Sequence, residues 1–314
     1  MSYTGPEIDG PEFDGPRTRR SRLRRPLVVA LAALVPGALA GWLVYGAVGG
    51  SDDGAARAAG TGGGSAAQKS PPSPPATSPT DGDAKADTSA APLKGRTIVI
   101  DPGHNPANFQ HTAEINRKVN IGTTWKECDT TGTSTNAGYT EAEFTLDVAH
   151  RLRTLLEEQG ATVRLTQDAD RPYGPCIDER ARIGNEAHAD AVVSIHADGS
   201  GKGNRGFHVI LPGAVHSGAA DTRPIVGPSR TLGEHIAADF ARNTGTSPSN
   251  YAGGGTGLVT REDLGGLNLS TVPKVFIECG NMRDSADAAL LTSGTWRQKA
   301  AQGISEGIVR FLRG

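Results

Sequence analysis

The sequence Thr97-Ile98-Val99-Ile100-Asp101-Pro102-Gly103-His104 joins a short apolar run to a polar turn that ends in a histidine. The run is rich in β-branched residues, which predicts a buried strand. Similar strands are predicted downstream at residues 162–166, 191–196, 206–211 and 274–279. Helices are predicted at residues 141–159, 177–188, 230–243 and 296–312. This alternation indicates an α/β fold, a single three-layer domain whose mixed, mostly parallel sheet is flanked by helices.

The N-terminal part of the chain has the composition of a membrane anchor. Residues 1–25 end in a cluster of arginines, and residues 26–48 carry no charged side chain. An apolar run of this length can cross a bilayer, and the preceding positive charge keeps its own flank in the cytoplasm. We therefore expect residues 1–25 to be a cytoplasmic tail and residues 26–48 to be a single-pass signal anchor, with the following domain extracytoplasmic. The alternative is secretion after cleavage, because Ala38-Leu39-Ala40 resembles a signal-peptidase site.

The middle of the chain is predicted to be a linker. Residues 49–94 consist mainly of Gly, Ala, Ser, Thr, Asp and Pro, so they bury little apolar area and are expected to be disordered. Residues 95–314 then form the folded domain, which we expect to be monomeric. The net charge of −2 comes without an evident basic face, which argues against nucleic acid as a partner.

Three polar residues stand where predicted strands end. His104 follows the first strand, His196 ends the strand at residues 191–196, and Glu278 ends the last strand. In open α/β sheets the carboxyl ends of strands form the binding crevice, so these side chains are expected to converge. Two imidazoles and one carboxylate match the needs of a catalytic zinc ion, which takes three protein ligands and keeps one position open. A fourth group is needed to move protons.

A helix start indicates which acid is free to bind the metal. Thr140 followed by Glu143 three residues later has the pattern of a capping box, in which Glu143 is occupied by the helix terminus. Glu141 lies at the first helical position and is free to point toward the strand ends. We therefore assign Glu141 to the metal and Glu143 to the cap.

The region from residue 97 to residue 312 resembles the zinc-dependent N-acetylmuramoyl-L-alanine amidases of the type 3 family, in particular actinobacterial members. The order of several short motifs carries the resemblance, since each of them alone is weak. They are Ile98-Val99-Ile100-Asp101-Pro102-Gly103-His104, Glu141-x-x-Phe144-Thr145-Leu146, Asp178-Glu179-Arg180 leading to Ser194-Ile195-His196-Ala197, and Pro273-x-Val275-x-Ile277-Glu278-x-Gly280.

The resemblance implies a metal site, a catalytic residue and a substrate. It implies zinc held by His104, Glu141 and His196, with Glu278 as the catalytic acid/base. The implied substrate is peptidoglycan, cut at the amide between N-acetylmuramic acid and the L-alanine of the stem peptide. Two alternatives stay open: a zinc peptidase that acts within the stem peptide, and a non-catalytic regulator that binds peptidoglycan.

Departures from the family pattern fall close to the predicted site. The family usually has Gly at Asn105, Asn at Asp198 and an apolar residue at Asn281. None of these removes a ligand, but each can alter the groove beside the metal.

Two further side chains are assigned supporting or lining roles. Arg180, together with Asn185, is expected to hold the His196 strand and the first loop by hydrogen bonds. His208 is a candidate lining residue of the groove, although a packed or solvated role is favoured.

The same resemblance extends to the cysteines. The long loop at residues 105–139 and the segment Gly174-Pro175-Cys176 each carry a cysteine in actinobacterial members, which implies a disulfide between Cys128 and Cys176. Such a bond suits an oxidising, exported setting. Cys279, inside a predicted buried strand, is expected to be an inert core thiol.

Overall fold

The computed structural model describes residues 91–314. The predicted tail at residues 1–25, the predicted anchor at 26–48 and the predicted linker up to residue 90 lie outside the described residues. Leu93 is fully buried in the main core, so the packed unit starts two residues before the predicted boundary at 95. From residue 91 onward, no helix combines the length and the apolar character needed to cross a bilayer.

Ten strands and seven α-helices make up the described region. The strands are β1 Thr97–Pro102, β2 Lys118–Asn120, β3 Trp125–Glu127, β4 Thr162–Leu165, β5 Ala191–Asp198, β6 His208–Pro212, β7 His216–Ser217, β8 Ala220–Asp221, β9 Leu258–Arg261 and β10 Lys274–Asn281. The helices are α1 Thr112–Ile115, α2 Glu141–Glu158, α3 Ile177–Glu186, α4 Val226–Thr244, α5 Gly265–Asn268, α6 Ser285–Leu291 and α7 Gly294–Arg313.

The main sheet has six strands in the order β4-β1-β5-β10-β6-β9. Strands β4, β1, β5 and β10 run parallel to one another, whereas β6 pairs antiparallel with β10 and parallel with β9. The prediction of an α/β fold with a mixed, mostly parallel sheet flanked by helices is therefore confirmed. The predicted strands all recur within a few residues, but β9 and the small hairpins β2–β3 and β7–β8 were not predicted, because short half-exposed strands carry little apolar pattern.

Alternate residues of a strand pack against the helices on opposite faces of the sheet. Ile98 and Ile100 of β1 join the core that α2, α4 and α7 cover, whereas Val99 packs with Val192 and with residues of α3 on the other face. Burial on both faces explains why the strand reads as a continuous apolar run.

The start of α2 follows from a local capping motif. The Thr140 hydroxyl accepts a hydrogen bond from the Glu143 backbone N–H, and the Glu143 carboxylate accepts one from the Thr140 backbone N–H. The predicted capping box is thus present, and it fixes the helix so that its first residue, Glu141, faces the sheet edge. Helix α4, in contrast, starts four residues before the predicted residue 230. Its Pro228 lies in the first turn, where a missing N–H costs no intrahelical hydrogen bond.

Helices α4 and α7 approach each other at a glycine. A Cβ atom on Gly307 of α7 would lie 2.6 Å from Ile236 Cα and 2.7 Å from Ile236 N in α4. These are backbone atoms, so the contact cannot be relieved by a side-chain rotation.

Replacing Gly307 with Ala should therefore force the two helices apart. We expect the free energy of unfolding to fall by about 1–3 kcal/mol, the usual cost of overpacking a core. The matched control is Gly227→Ala in α4, where an added Cβ would meet nothing within 4 Å. Urea unfolding of both variants checks this, and an unchanged midpoint for Gly307→Ala would contradict the packing described.

Candidate active site

Three predicted ligands converge at the carboxyl edge of the parallel strands. His104 follows β1, His196 lies near the end of β5, and Glu141 opens α2. Strands β1 and β5 pair in parallel up to Pro102 and Ile195, which brings the two histidines to the same height on the sheet. One ligand atom from each of the three side chains lies within 4.8 Å of the other two.

The three side chains point at a common centre. Glu141 Oε1 lies 3.1 Å from His104 Nε2 and 2.9 Å from His196 Nδ1. The two imidazole rings meet edge to face, with centroids 5.0 Å apart. Two imidazole nitrogens and one carboxylate oxygen form a donor set that suits a divalent transition metal, and the residues present therefore fit such an ion.

Backbone groups of the 128–133 loop and the Asp129 side chain orient the candidate ligands. His104 Nδ1 contacts the Thr130 carbonyl oxygen at 3.1 Å, which directs Nε2 toward the centre, and Asp129 Oδ1 lies 3.4 Å from the same nitrogen. Glu141 Oε2 accepts a hydrogen bond from the Thr133 N–H at 2.9 Å. Partners of this kind fix the tautomer and orientation of metal-binding side chains.

Charge pairing holds this cluster in its ligand arrangement. Burial disfavours the charged form of His104, but the carboxylates of Glu141 and Asp129 outweigh it and raise the pKa of His104 to about 10. Burial likewise works against the Glu141 carboxylate, but His104 and His196 outweigh it and lower the pKa of Glu141. Because metal binding requires a neutral imidazole, binding of a cation here would be coupled to loss of the His104 proton.

Backbone geometry at the first ligand is unusual. His104 has φ +62°, a left-handed conformation that non-glycine residues rarely adopt. Its carbonyl oxygen accepts hydrogen bonds from Arg180 at 3.0 Å and from Gln167 at 2.9 Å, which hold the peptide in place. The preceding Gly103 lies directly under the His196 ring, since a Cβ there would come within 2.4 Å of His196 Cε1.

A buried ionic network stabilises the turn that leads from β1 to His104. The Arg180 guanidinium is 6% exposed and pairs with Asp101 at 2.8 Å and Asp129 at 3.0 Å. It also donates to the Pro102 carbonyl oxygen, and Lys274 Nζ lies 3.0 Å from the second oxygen of Asp101. Burial works against ionisation of Asp129, yet the Arg180 charge and His104 outweigh it and lower the pKa of Asp129 to about 2.

Glu278 stands beside the ligand cluster but does not join it. In the sheet it lies opposite His196 of β5 on one side and His208 of β6 on the other. Burial raises the pKa of Glu278 well above its usual range, and the negative charges of Glu141 and Asp198 add to this effect. The carboxylate lines an open cleft of about 670 Å³ together with the three ligands.

The remaining predicted residues take mixed positions. Asn105 is buried and donates to the carbonyl oxygens of Arg171 and Gly174, so it supports the loop rather than lining the cleft. His208 is buried and is not among the residues that line the cleft. The assignment of Asn185 to the His196 strand is wrong, because its side chain bonds to Leu269 and Thr271 before β10.

Of the positions that depart from the family pattern, Asp198 lines the cleft and Asn281 does not. Asn281 does not alter the groove, because its amide is buried and donates to the carbonyl oxygens of Ser200, Gly201 and Asn204. Asp198 does line the cleft and accepts a hydrogen bond from the Tyr251 hydroxyl at 2.8 Å.

Cys128 and Cys176 form a disulfide across 48 residues. The bond ties the loop that carries Asp129 and Thr130 to the segment that enters α3. Cys279 is a buried free thiol. The sequence patterns did not single out Asp129, Thr130, Tyr251 or Arg261 as site residues, the last of which lines the same cleft as Glu278. They lie in irregular segments or at a strand end, where no apolar period marks them.

Comparisons with known proteins agree on one family. A family model described as N-acetylmuramoyl-L-alanine amidase matches residues 98–310. The N-acetylmuramoyl-L-alanine amidase Rv3717 of Mycobacterium tuberculosis is 40% identical over 230 residues, which span 73% of this chain and 91% of that protein. Crystal structures of N-acetylmuramyl-L-alanine amidases from Mycobacterium smegmatis and Mycobacterium abscessus are 39% and 40% identical. Both superpose with a TM-score of 0.64, and in both cases the match covers 70% of this chain. It covers 98% of the Mycobacterium smegmatis chain and 100% of the Mycobacterium abscessus chain.

Replacing Arg180 with Met would leave Asp129 and part of Asp101 buried without their cationic partner. Breaking a buried ion pair in this way costs about 3–5 kcal/mol, and we expect the free energy of unfolding to fall by that amount. The matched control is Arg182→Met in the same helix, an exposed residue whose pairs with Glu179 and Glu186 are screened by solvent and should contribute little to stability. Equal losses in the two variants, measured by denaturant unfolding, would refute this role of Arg180.

Proposed function

This chain belongs to the family of N-acetylmuramoyl-L-alanine amidases, and from that premise we propose that His104, Glu141 and His196 bind a zinc ion for its reaction. The protein is a hydrolase, and its substrate is peptidoglycan, cut between N-acetylmuramic acid and L-alanine. The observation that carries the zinc proposal is the arrangement of two imidazoles and one carboxylate whose ligand atoms lie within 4.8 Å of one another. When bound, zinc would act as a Lewis acid that activates water and polarises the scissile carbonyl.

Glu278 is suited to move the proton. Because burial and the charges of Glu141 and Asp198 raise its pKa, its carboxylate is a stronger base than an exposed glutamate. It lines the same cleft as the three ligands, within the region that the substrate amide must enter. We assign to it the removal of a proton from the attacking water and the delivery of that proton to the departing nitrogen of L-alanine.

Neighbouring residues of the chain prepare the site for this chemistry. Thr130 and Asp129 hold the His104 ring, and Thr133 holds Glu141, so the ligands need no rearrangement before substrate arrives. The two alternatives, cleavage within the stem peptide and non-catalytic binding of peptidoglycan, have no particular feature of residues 91–314 in their favour.

We also propose that residues 26–48 anchor the protein in the cytoplasmic membrane, with the catalytic domain extracytoplasmic. Support comes from the uncharged run, from the arginines that precede it, and from the disulfide, which suits an oxidising compartment.

The roles of Glu278 and His104 should separate in substituted proteins. In Glu278→Gln we expect zinc content equal to that of the parent and kcat lowered by about 100-fold or more, as for loss of a general acid/base. In His104→Ala we expect loss of both zinc and turnover. Metal analysis and the release of free amines on L-alanine from purified peptidoglycan, with and without a chelator, measure both effects.

The control for that experiment is His150→Ala, a partly exposed histidine of α2 outside the ligand cluster, which should keep zinc and activity. Equal zinc loss in Glu278→Gln and His104→Ala would show that Glu278 is a ligand. New amines on another residue would identify a peptidase.

The anchor is tested on the full-length protein made in a bacterial host. We expect it to fractionate with membranes and to resist extraction by high salt, because an apolar span is held by burial in lipid rather than by charge. A mature N-terminus near Gly41 and recovery in the soluble fraction would show cleavage and secretion instead.

A further inference from the structure

A second imidazole, that of His208, stands next to the proposed acid/base Glu278. Glu278 of β10 lies directly opposite His208 of β6 in the antiparallel pairing. Side chains that face each other across neighbouring strands lie on the same face, with Cβ atoms about 4.5–5.5 Å apart. Glu278 therefore stands between His196, a proposed ligand, and His208.

The two facing side chains each bury a polar atom without a partner. Glu278 Oε2 and His208 Nδ1 are both shielded from solvent, and neither makes a hydrogen bond to any part of the chain that the structure describes. Unpaired buried polar atoms are costly, so each such atom calls for an explanation. Here the two atoms are complementary, since a carboxylate oxygen accepts a hydrogen bond and an imidazole N–H donates one.

The surroundings keep His208 neutral and in place. The residue is only 6% exposed. Burial lowers the pKa of His208, and the positive charge of Arg261 lowers it further; together they outweigh the negative charge of Asp198, which raises it. A neutral imidazole carries one N–H, which can reside on Nδ1. The ring packs edge-on against Tyr251 at 5.8 Å, and the Tyr251 hydroxyl is itself fixed by its hydrogen bond to Asp198.

We propose that His208 is a positioning residue for Glu278, donating a hydrogen bond from Nδ1 to one shared water that in turn donates to Oε2. Contacts longer than a hydrogen bond between buried polar groups are commonly bridged in this way. The bond would fix one carboxylate oxygen on the inner side and leave the other, Oε1, directed at the cleft for proton transfer. The inference rests on the proposed function, because it needs Glu278 to be the acid/base.

Three substitutions in the full-length, zinc-loaded protein separate this role from simple packing. His208→Phe keeps a ring against Tyr251 but has no N–H. His208→Asn places an amide nitrogen close to the position of Nδ1, whereas His208→Gln places one close to that of Nε2.

We expect His208→Phe and His208→Gln to lower kcat by about 10-fold or more, the usual effect of losing a partner that orients a catalytic group. KM should stay within about twofold and zinc content should not change. His208→Asn should keep kcat within about threefold of the parent. The control is His150→Phe, the same exchange at a site outside the cleft, which should leave kcat unchanged.

Combining His208→Phe with Glu278→Gln gives the decisive comparison. Because His208 is proposed to act only through Glu278, the double variant should be no slower than Glu278→Gln alone, whereas independent roles would add. The proposal is overturned if His208→Phe keeps the parental kcat, if Asn and Gln are equally impaired, or if the loss appears in KM or zinc content.

Failure of the inference is distinguishable from failure of the proposed function. If Glu278→Gln is inactive while His208→Phe is fully active, only the positioning role is wrong. If Glu278→Gln itself retains parental activity, the acid/base assignment falls, and the role of His208 falls with it.

Discussion

The site depends on one buried cation, the guanidinium of Arg180. A charge buried this deeply is stable only when it is paired and hydrogen-bonded. Arg180 is paired with the carboxylates of Asp101 and Asp129. The guanidinium also donates to the carbonyl oxygens of Pro102, His104 and Pro175. The same group thus joins the end of β1, the left-handed turn at His104 and the loop that orients the His104 ring, and the ligand geometry follows from these bonds.

Much of the fold was predictable because the strands are buried on both faces. Such strands appear in the sequence as apolar runs, and the residues that end them, His104, His196 and Glu278, stand out as polar exceptions. Glu141 was predictable for a separate, local reason, since the capping box reserves Glu143 and leaves Glu141 free. Short half-exposed elements such as β9 carry no such signal and were missed.

From the sequence, His208 was predicted only as a candidate lining residue of the groove, and its place beside Glu278 was not. Residues at strand ends were considered as site candidates, but β6 runs antiparallel to β10, so its first residue lies at the edge where the parallel strands end. His208 therefore reaches Glu278 from the beginning of a strand. Asp129 and Thr130 were not predicted as site residues, because their contacts with His104 and Arg180 join residues far apart in the chain and depend on the folded loop.

The disulfide has a topological consequence for the metal site. It closes a covalent ring over residues 128–176, and Glu141 lies inside that ring, whereas His104 precedes it and His196 follows it. A cation bound by His104, Glu141 and His196 would join the chain segments before and after the ring to a residue inside it. The disulfide and the metal would then each close a loop of chain that contains α2. With either closure intact, less chain entropy would be left for the other to remove, so their stabilising effects on this stretch of polypeptide would be less than additive.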